Sequence, residues 1–183
     1  HEFIEISRDF TDPKELIREA ISNAFDARAT VIKIDAYIDK STGVSELVVC
    51  VEDNGEGMNV ESLKSFFGLG HSTRRSKDER GNKSSEAIGE KGHGTKIFFN
   101  SRSIQVQSVK DDKIITAHMD EPLKTLQSGK LPVVMYDVKD TNLPNGTKIT
   151  VHGYNENNQF GFRHEALKDY ILWHTKFGSF EKE

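Results

Sequence analysis

A chain of 183 residues, 35% hydrophobic and 30% charged, has the size of one domain and enough apolar mass to bury a core. It has no apolar stretch near the roughly 20 residues that a membrane span needs and no signal-peptide pattern, so no membrane partner and a cytoplasmic location are expected. A formal net charge of −4 argues against a nucleic-acid platform over the whole surface, and a single cysteine, Cys50, excludes an internal disulfide.

Phe3-Ile4-Glu5-Ile6 alternates as a short strand does. Asp12-Pro13-Lys14-Glu15 then carries helix-start chemistry: Asp12 can cap, Pro13 suits the first position, and Glu15 completes a capping-box-like pattern. This helix is expected to run to about Ala27. Val31–Ile38 and Glu46–Val51 read as strands joined through Lys40-Ser41-Thr42-Gly43, hence an antiparallel pair, with Cys50 a buried small hydrophobe. Asn59–Phe67 reads as a short helix. The stretch from Gly68 to Gly94 is rich in glycine, serine and charge; a loop longer than about 12–15 residues in a compact domain needs a function. Ile97-Phe98-Phe99 predicts a buried helix, and Ser103–Lys110, Lys113–Met119, Val133–Val138 and Thr147–Tyr154 predict strands. His164–Phe177 closes as an amphipathic helix carrying Leu167, Tyr170, Ile171 and Trp173. The start at His1 and the stop just after this segment suggest a fragment of a longer protein, so the expected organisation is a single domain over 1–183.

Chemistry enters on the first helix. At about 100° per residue, Leu16, Ile17, Ala20, Ile21 and Ala24 share an apolar face, with Glu19, Asn23 and Asp26 in a stripe beside it. A carboxylate one turn before a carboxamide suits two tasks: the amide oxygen is a hard ligand for Mg²⁺, and the carboxylate can orient a water or take its proton. Taken alone, the stripe reads more simply as a solvated polar face.

Two glycine clusters follow. Asp53-Asn54-Gly55-Glu56-Gly57-Met58 comes directly after an apolar strand, so Asp53 sits at a strand end, where a carboxylate can accept from an exocyclic amine; plain turn chemistry is the alternative. A calcium loop is excluded because position twelve, counted from Asp53, is Lys64. Gly89-Glu90-Lys91-Gly92-His93-Gly94-Thr95-Lys96 feeds an apolar helix, and free N–H groups at such a turn suit phosphate, although its spacing is neither that of a P-loop nor of a dinucleotide fingerprint. A flexible structural loop is the other reading. His93, with no second ligand at a metal spacing, reads as a loop residue, and Arg74-Arg75-Ser76-Lys77-Asp78-Glu79-Arg80 as a solvated charge run.

In order, Glu19–Ala27, Asp53–Met58, Ile88–Lys96 and Asn145-Gly146-Thr147-Lys148-Ile149 resemble the N box, the two glycine boxes and the last nucleotide motif of the GHKL ATPases (gyrase, heat-shock chaperone, histidine kinase, MutL), over residues 12 to 152. The resemblance implies the Bergerat fold, an α/β (α+β) two-layer sandwich whose mixed, mostly antiparallel sheet is covered on one face by helices. It implies Mg-dependent ATP binding and slow hydrolysis, with ATP and Mg²⁺ as ligands and an ATP-dependent homodimer among the partners. It assigns Glu19 to the hydrolytic water, Asn23 to magnesium, and Asp53 to the adenine amine. Gly55, Gly57 and Met58 go to the base, with Asp26 and Thr147 completing that side. Gly89, Lys91, Gly92, His93, Gly94, Thr95 and Lys96 go to the triphosphate, and residues 68–94 become the ATP lid.

The motif style is closest to MutL, MORC-type and chaperone ATPases. His71-Ser72-Thr73 resembles the MutL lid, but Arg74-Arg75 stands where serine-lysine is expected. The transducer-domain lysine of gyrase- and MutL-type enzymes has no place after Phe177, so the domain is expected to bind ATP better than it turns it over. A histidine-kinase-type catalytic domain and a nucleotide-gated binding module are the alternative readings of the same pocket.

Overall fold

A computed structural model describes residues 12–41, 43–68 and 94–175. The Phe3–Ile6 segment, Gly89, Lys91, Gly92, His93 and nearly all of the lid lie outside the described residues.

Helix α1 spans Glu15–Asp26 and buries Leu16, Ile17, Ala20, Ile21 and Ala24, the face its periodicity indicates. Its entry turn is closed by Asp12, whose Oδ1 accepts the Lys14 N–H at 2.9 Å and whose carbonyl accepts the Glu15 N–H at 2.9 Å. The helix proper thus begins two residues beyond the proline. Strands β1 (Ile32–Asp39) and β2 (Glu46–Asp53) form the expected hairpin, registered from Ile32 opposite Asp53 to Asp39 opposite Glu46. Helix α2 (Val60–Phe66) is capped by Asn59, whose side chain accepts the Ser62 N–H at 2.8 Å.

Strands β3 (Ser103–Lys110) and β4 (Lys113–Asp120) make a second hairpin, turned by Asp111 and Asp112, both at positive φ. Helix α3 (Pro122–Gln127), strand β5 (Met135–Asp140), strand β6 (Gly146–His152) and helix α4 (His164–His174) complete the order, with two 3-10 turns at Tyr154–Asn157 and Phe160–Phe162.

The strand order is β1-β2-β6-β3-β4-β5, and every described pairing is antiparallel. Strand β6 joins the two hairpins. One face carries Leu47, Val49, Val51, Ile104, Val106, Ile115, Ala117, Met119, Ile149 and Val151, all buried, and takes the apolar stripe of α1. Each large side chain removed from water there contributes about 1.5–3 kcal/mol. The other face presents Lys33, Gln105, Gln107, Thr116 and Lys148 to solvent. The architecture is therefore the α+β sandwich of the Bergerat type.

Five local readings change. Cys50 is half-buried and points away from the helices, its thiol 3.7 Å from Thr150 Oγ1, because it falls one residue out of phase with Val49 and Val51. The Ile97-Phe98-Phe99 segment is a 3-10 helix, Gly94–Phe99. Strand β5 starts at Met135 instead of Val133, and β6 ends at His152, since Gly153 turns the chain at φ 62°. Trp173 is 74% exposed and belongs to the outer face of α4, with Leu167 and Tyr170 on the inner one.

Candidate functional site

Strand β2 ends on Asp53, on the same face as Val49 and Val51. Burial raises the Asp53 pKa above its ordinary value, and N–H donors from Gly55 and Thr147 pull it partly back. The Gly55 N–H lies 2.8 Å from Oδ1. Thr147 stands directly across the β2–β6 ladder from Asp53.

The turn after Asp53 is tied in two directions. The Glu56 N–H donates to the Ala27 carbonyl at the end of α1 (2.8 Å), and Glu56 pairs with Arg28 (3.2 Å) and Lys110 (3.9 Å). Gly57 takes φ +71°, and a Cβ there would run into the Val109 carbonyl; only glycine lets this turn lie flat against β3. Met58 follows, half-buried, with its N–H donating to Ser108 Oγ at 2.7 Å.

At the other end of α1, Glu19 and Asn23 face one another across a turn. Burial raises the Glu19 pKa; the Asn23 amide and Arg18 lower it, and the Asp26 charge adds to the rise. The Glu19–Asn23 contact does not close into a well-formed hydrogen bond, since Asn23 Nδ2 is buried and unpartnered. Gly94 packs on the Glu19 carboxylate so tightly that a Cβ would collide with it. Thr95 and Lys96 follow, 7% and 2% exposed, and the Lys96 ammonium lies 3.6 Å from where a Gly68 Cβ would stand. Asp26 is exposed at the end of α1.

Two groups of expected residues are thus brought together: Asp53, Gly55, Gly57, Met58 and Thr147 at the strand ends, and Glu19, Asn23 and Gly94 along α1. They are joined by α1 itself, whose Glu19 and Ala27 are about 12 Å apart along the axis at 1.5 Å per residue. Asp26 acts on this arrangement through its charge, which adds to the rise of the Glu19 pKa.

Two residues were not expected. Asn54 Oδ1 accepts the N–H groups of Thr30 (2.9 Å) and Val31 (2.8 Å), fixing the link from α1 to β1 beside the Asp53 turn. Ser108, fully buried on β3, lies 2.9 Å from Thr147 Oγ1 and 3.2 Å from the Gly146 carbonyl. A serine in phase with Ile104 and Val106 was the available signal.

A groove of about 330 Å³ opens on the helix-free face behind Asp53 and Thr147, between Lys33, Glu52 and Lys148. A second, of about 240 Å³, reaches Glu19 between α1 and the end of α4, beside Arg18, Phe25 and His174.

Among the described residues no three histidine, cysteine or carboxylate side chains converge. Magnesium ordinarily rides on phosphates with one or two protein ligands, and the carboxamide oxygen of the half-buried Asn23 is of the hard type that role needs, whereas its unpartnered Nδ2 is a donor and takes no part in it. No described helix is long and apolar enough to cross a membrane.

Residues 11–144 match the family described as histidine kinase-, DNA gyrase B- and HSP90-like ATPase. Over 169 residues the chain is 27% identical to the DNA mismatch repair protein MutL of Bacillus licheniformis, covering 91% of this chain and 23% of that protein. Over 102 residues it is 32% identical to Protein MICRORCHIDIA 5 of Arabidopsis thaliana, covering 48% of this chain and 13% of that protein. The chain thus spans less than a quarter of the length of either relative. With well over half of its residues matched and its strand-end and α1 motifs assembled on an antiparallel sandwich, the chain belongs to the histidine kinase-, DNA gyrase B- and HSP90-like ATPase family.

Proposed function

We propose that this domain binds ATP with magnesium and hydrolyses it slowly, with residues 68–94 closing over the triphosphate and closure coupled to a conformational change or homodimerisation. The observation that carries the reading is the pair of desolvated carboxylates, Asp53 at the strand ends and Glu19 beside Gly94, held at opposite ends of one helix.

Asp53, ionised, accepts the adenine amine, while Gly57 and Met58 lay backbone and an apolar side chain along the base. Asn23 would hold magnesium through its carboxamide oxygen; the ion, when bound, neutralises phosphate charge. Glu19 takes the proton of a water as the water oxygen attacks the terminal phosphorus, and the bond to the ADP oxygen breaks. A carboxylate with its pKa raised by burial is a better base than an ordinary glutamate. Gly94 and Thr95, at the start of the 3-10 helix, would offer backbone N–H groups to phosphate oxygens.

Calorimetry with ADP and a non-hydrolysable ATP analogue tests the pocket. Asp53→Ala removes the anionic acceptor and is expected to weaken both ligands by about 1.5–3 kcal/mol, or ten- to a hundredfold, with the fold retained. Unchanged affinity would remove the base pocket from Asp53. With γ-labelled ATP, label released as phosphate supports the hydrolase; label on protein histidine would mean a phosphotransferase, and tight binding without either a nucleotide-gated module.

A further inference from the structure

Ser108 is buried without exposure on β3, between the Asp53 turn and the start of β6. Its hydroxyl has one proton and two lone pairs, and its surroundings offer three partners. The Met58 N–H occupies one lone pair at 2.7 Å. The proton can go to Thr147 Oγ1 at 2.9 Å or to the Gly146 carbonyl at 3.2 Å. If it goes to Gly146, the Thr147 hydroxyl donates back to Ser108 and shows the pocket only lone pairs. If it goes to Thr147, the Thr147 proton is released towards the pocket, and every donor points the same way: Met58 N–H to Ser108, Ser108 to Thr147, Thr147 to a ligand. A chain aligned in this sense strengthens each of its links.

Adenine presents an amine donor with a ring-nitrogen acceptor on either side of it. Asp53, ionised, is acceptor-only, and its cross-strand neighbour Thr147 carries a hydroxyl able to supply the matching donor. We propose that Ser108 is a positioning residue for base recognition, orienting Thr147 as a donor to the ring nitrogen beside the amine and tying the Met58 turn to the same bond. This rests on the adenine-pocket reading above. Ser108 never touches the base; it acts through Thr147 and Met58.

The test is a cycle of Ser108→Ala, Thr147→Val and the double variant, titrated calorimetrically with ADP, 1-deaza-ADP and 7-deaza-ADP. Each single change is expected to weaken ADP about tenfold, the worth of one buried hydrogen bond. The double variant is expected to lose little more than either single one, because the two hydroxyls serve one bond. One deaza analogue, the one lacking the contacted nitrogen, is expected to bind the parent about tenfold more weakly and to lose nothing further with Ser108→Ala.

Equal weakening of all three ligands by Ser108→Ala, additive singles, or unchanged ADP affinity would overturn the proposal. Ser108→Cys, with a weaker donor of similar size, gives the same pattern at smaller amplitude and carries the cycle if the alanine variant does not fold. Asp53→Ala serves as the control. If it too leaves ADP affinity unchanged, the adenine pocket itself is misplaced; if it abolishes binding while the cycle is flat, only the Ser108 role falls.

Discussion

Glu19 and Asp53 are each more easily protonated in the folded chain than free in water, burial being the largest cause in both. A carboxyl whose folded pKa is raised lends full stability below its unfolded pKa and loses it as pH rises through the folded value. Above the ordinary carboxylate range, ionising either one costs the nucleotide-free domain stability. Glu19→Gln is therefore expected to raise the melting temperature of the nucleotide-free protein at neutral pH, to change it little below the ordinary glutamate pKa, and to abolish phosphate release. Thermal unfolding across pH beside a phosphate-release assay checks this; a lower neutral melting temperature would contradict the burial account. In the active protein, hydrolysis is expected to fall as pH drops through the raised Glu19 pKa, above the ordinary glutamate range. These acidic residues were legible because helical phase placed Glu19 and Asn23 together and an apolar strand ended on Asp53. Ser108 was not: its partners Met58 and Thr147 lie 50 and 39 residues away, a relation no local pattern encodes.

At the level of elements, the start of the 3-10 helix at Gly94 is the tightest constraint on the α1 stripe. A methyl group there would displace the Glu19 carboxylate or the Gly94 backbone. Gly94→Ala is expected to lower both stability and turnover, and adding Glu19→Ala is expected to recover most of the stability and none of the turnover. A double-mutant cycle read by chemical denaturation and phosphate release measures that coupling; additive stability losses would mean the clash is relieved elsewhere. Long, strongly periodic elements such as α1, β2 and β3 were readable nearly to the residue. The Ile97-Phe98-Phe99 run was readable as buried but not as a 3-10 helix, and the burial of Thr95 and Lys96 was not expected, since five covered residues in a row carry no helical phase. Helix α3 was missed: it has six residues and buries only Pro122 and Leu126. The apolar run Leu131–Met135 drew the expected start of β5 too early; pairing with β4 begins only at Met135, opposite His118.

For the whole molecule, the β1–β2 hairpin was visible in local turn chemistry, whereas the insertion of β6 between β2 and β3 was not, because those ladders join residues about 40 to 100 apart. The same long-range logic closes the fold behind the sheet. Tyr154, fully buried just after β6, donates its hydroxyl to the Pro13 carbonyl at 2.9 Å and meets Phe162 edge-on, its centroid 5.7 Å away. Burial pushes its pKa well up, so the phenol stays a neutral donor. Tyr154→Phe removes this tie between the end of the sheet and the entry to α1 while keeping the ring. The Pro13 carbonyl still receives the Leu16 N–H at 3.3 Å, so it is not left bare, and the cost belongs at the lower end for a buried hydrogen bond, about 0.5–1.5 kcal/mol. In a domain of this size that lowers the melting temperature by about 2–4 °C per kcal/mol. Tyr154→Ala, which also opens a cavity beside Phe162, is expected to cost about 3–5 kcal/mol. Because the bond anchors α1 at its first turn and not at Glu19 or Asn23, ADP affinity in Tyr154→Phe is expected to stay within about twofold of the parent, under half a kcal/mol. Denaturant unfolding paired with ADP titration separates the two effects: a tenfold loss of affinity with unchanged stability would show that the α1 entry steers the site instead of merely closing the fold.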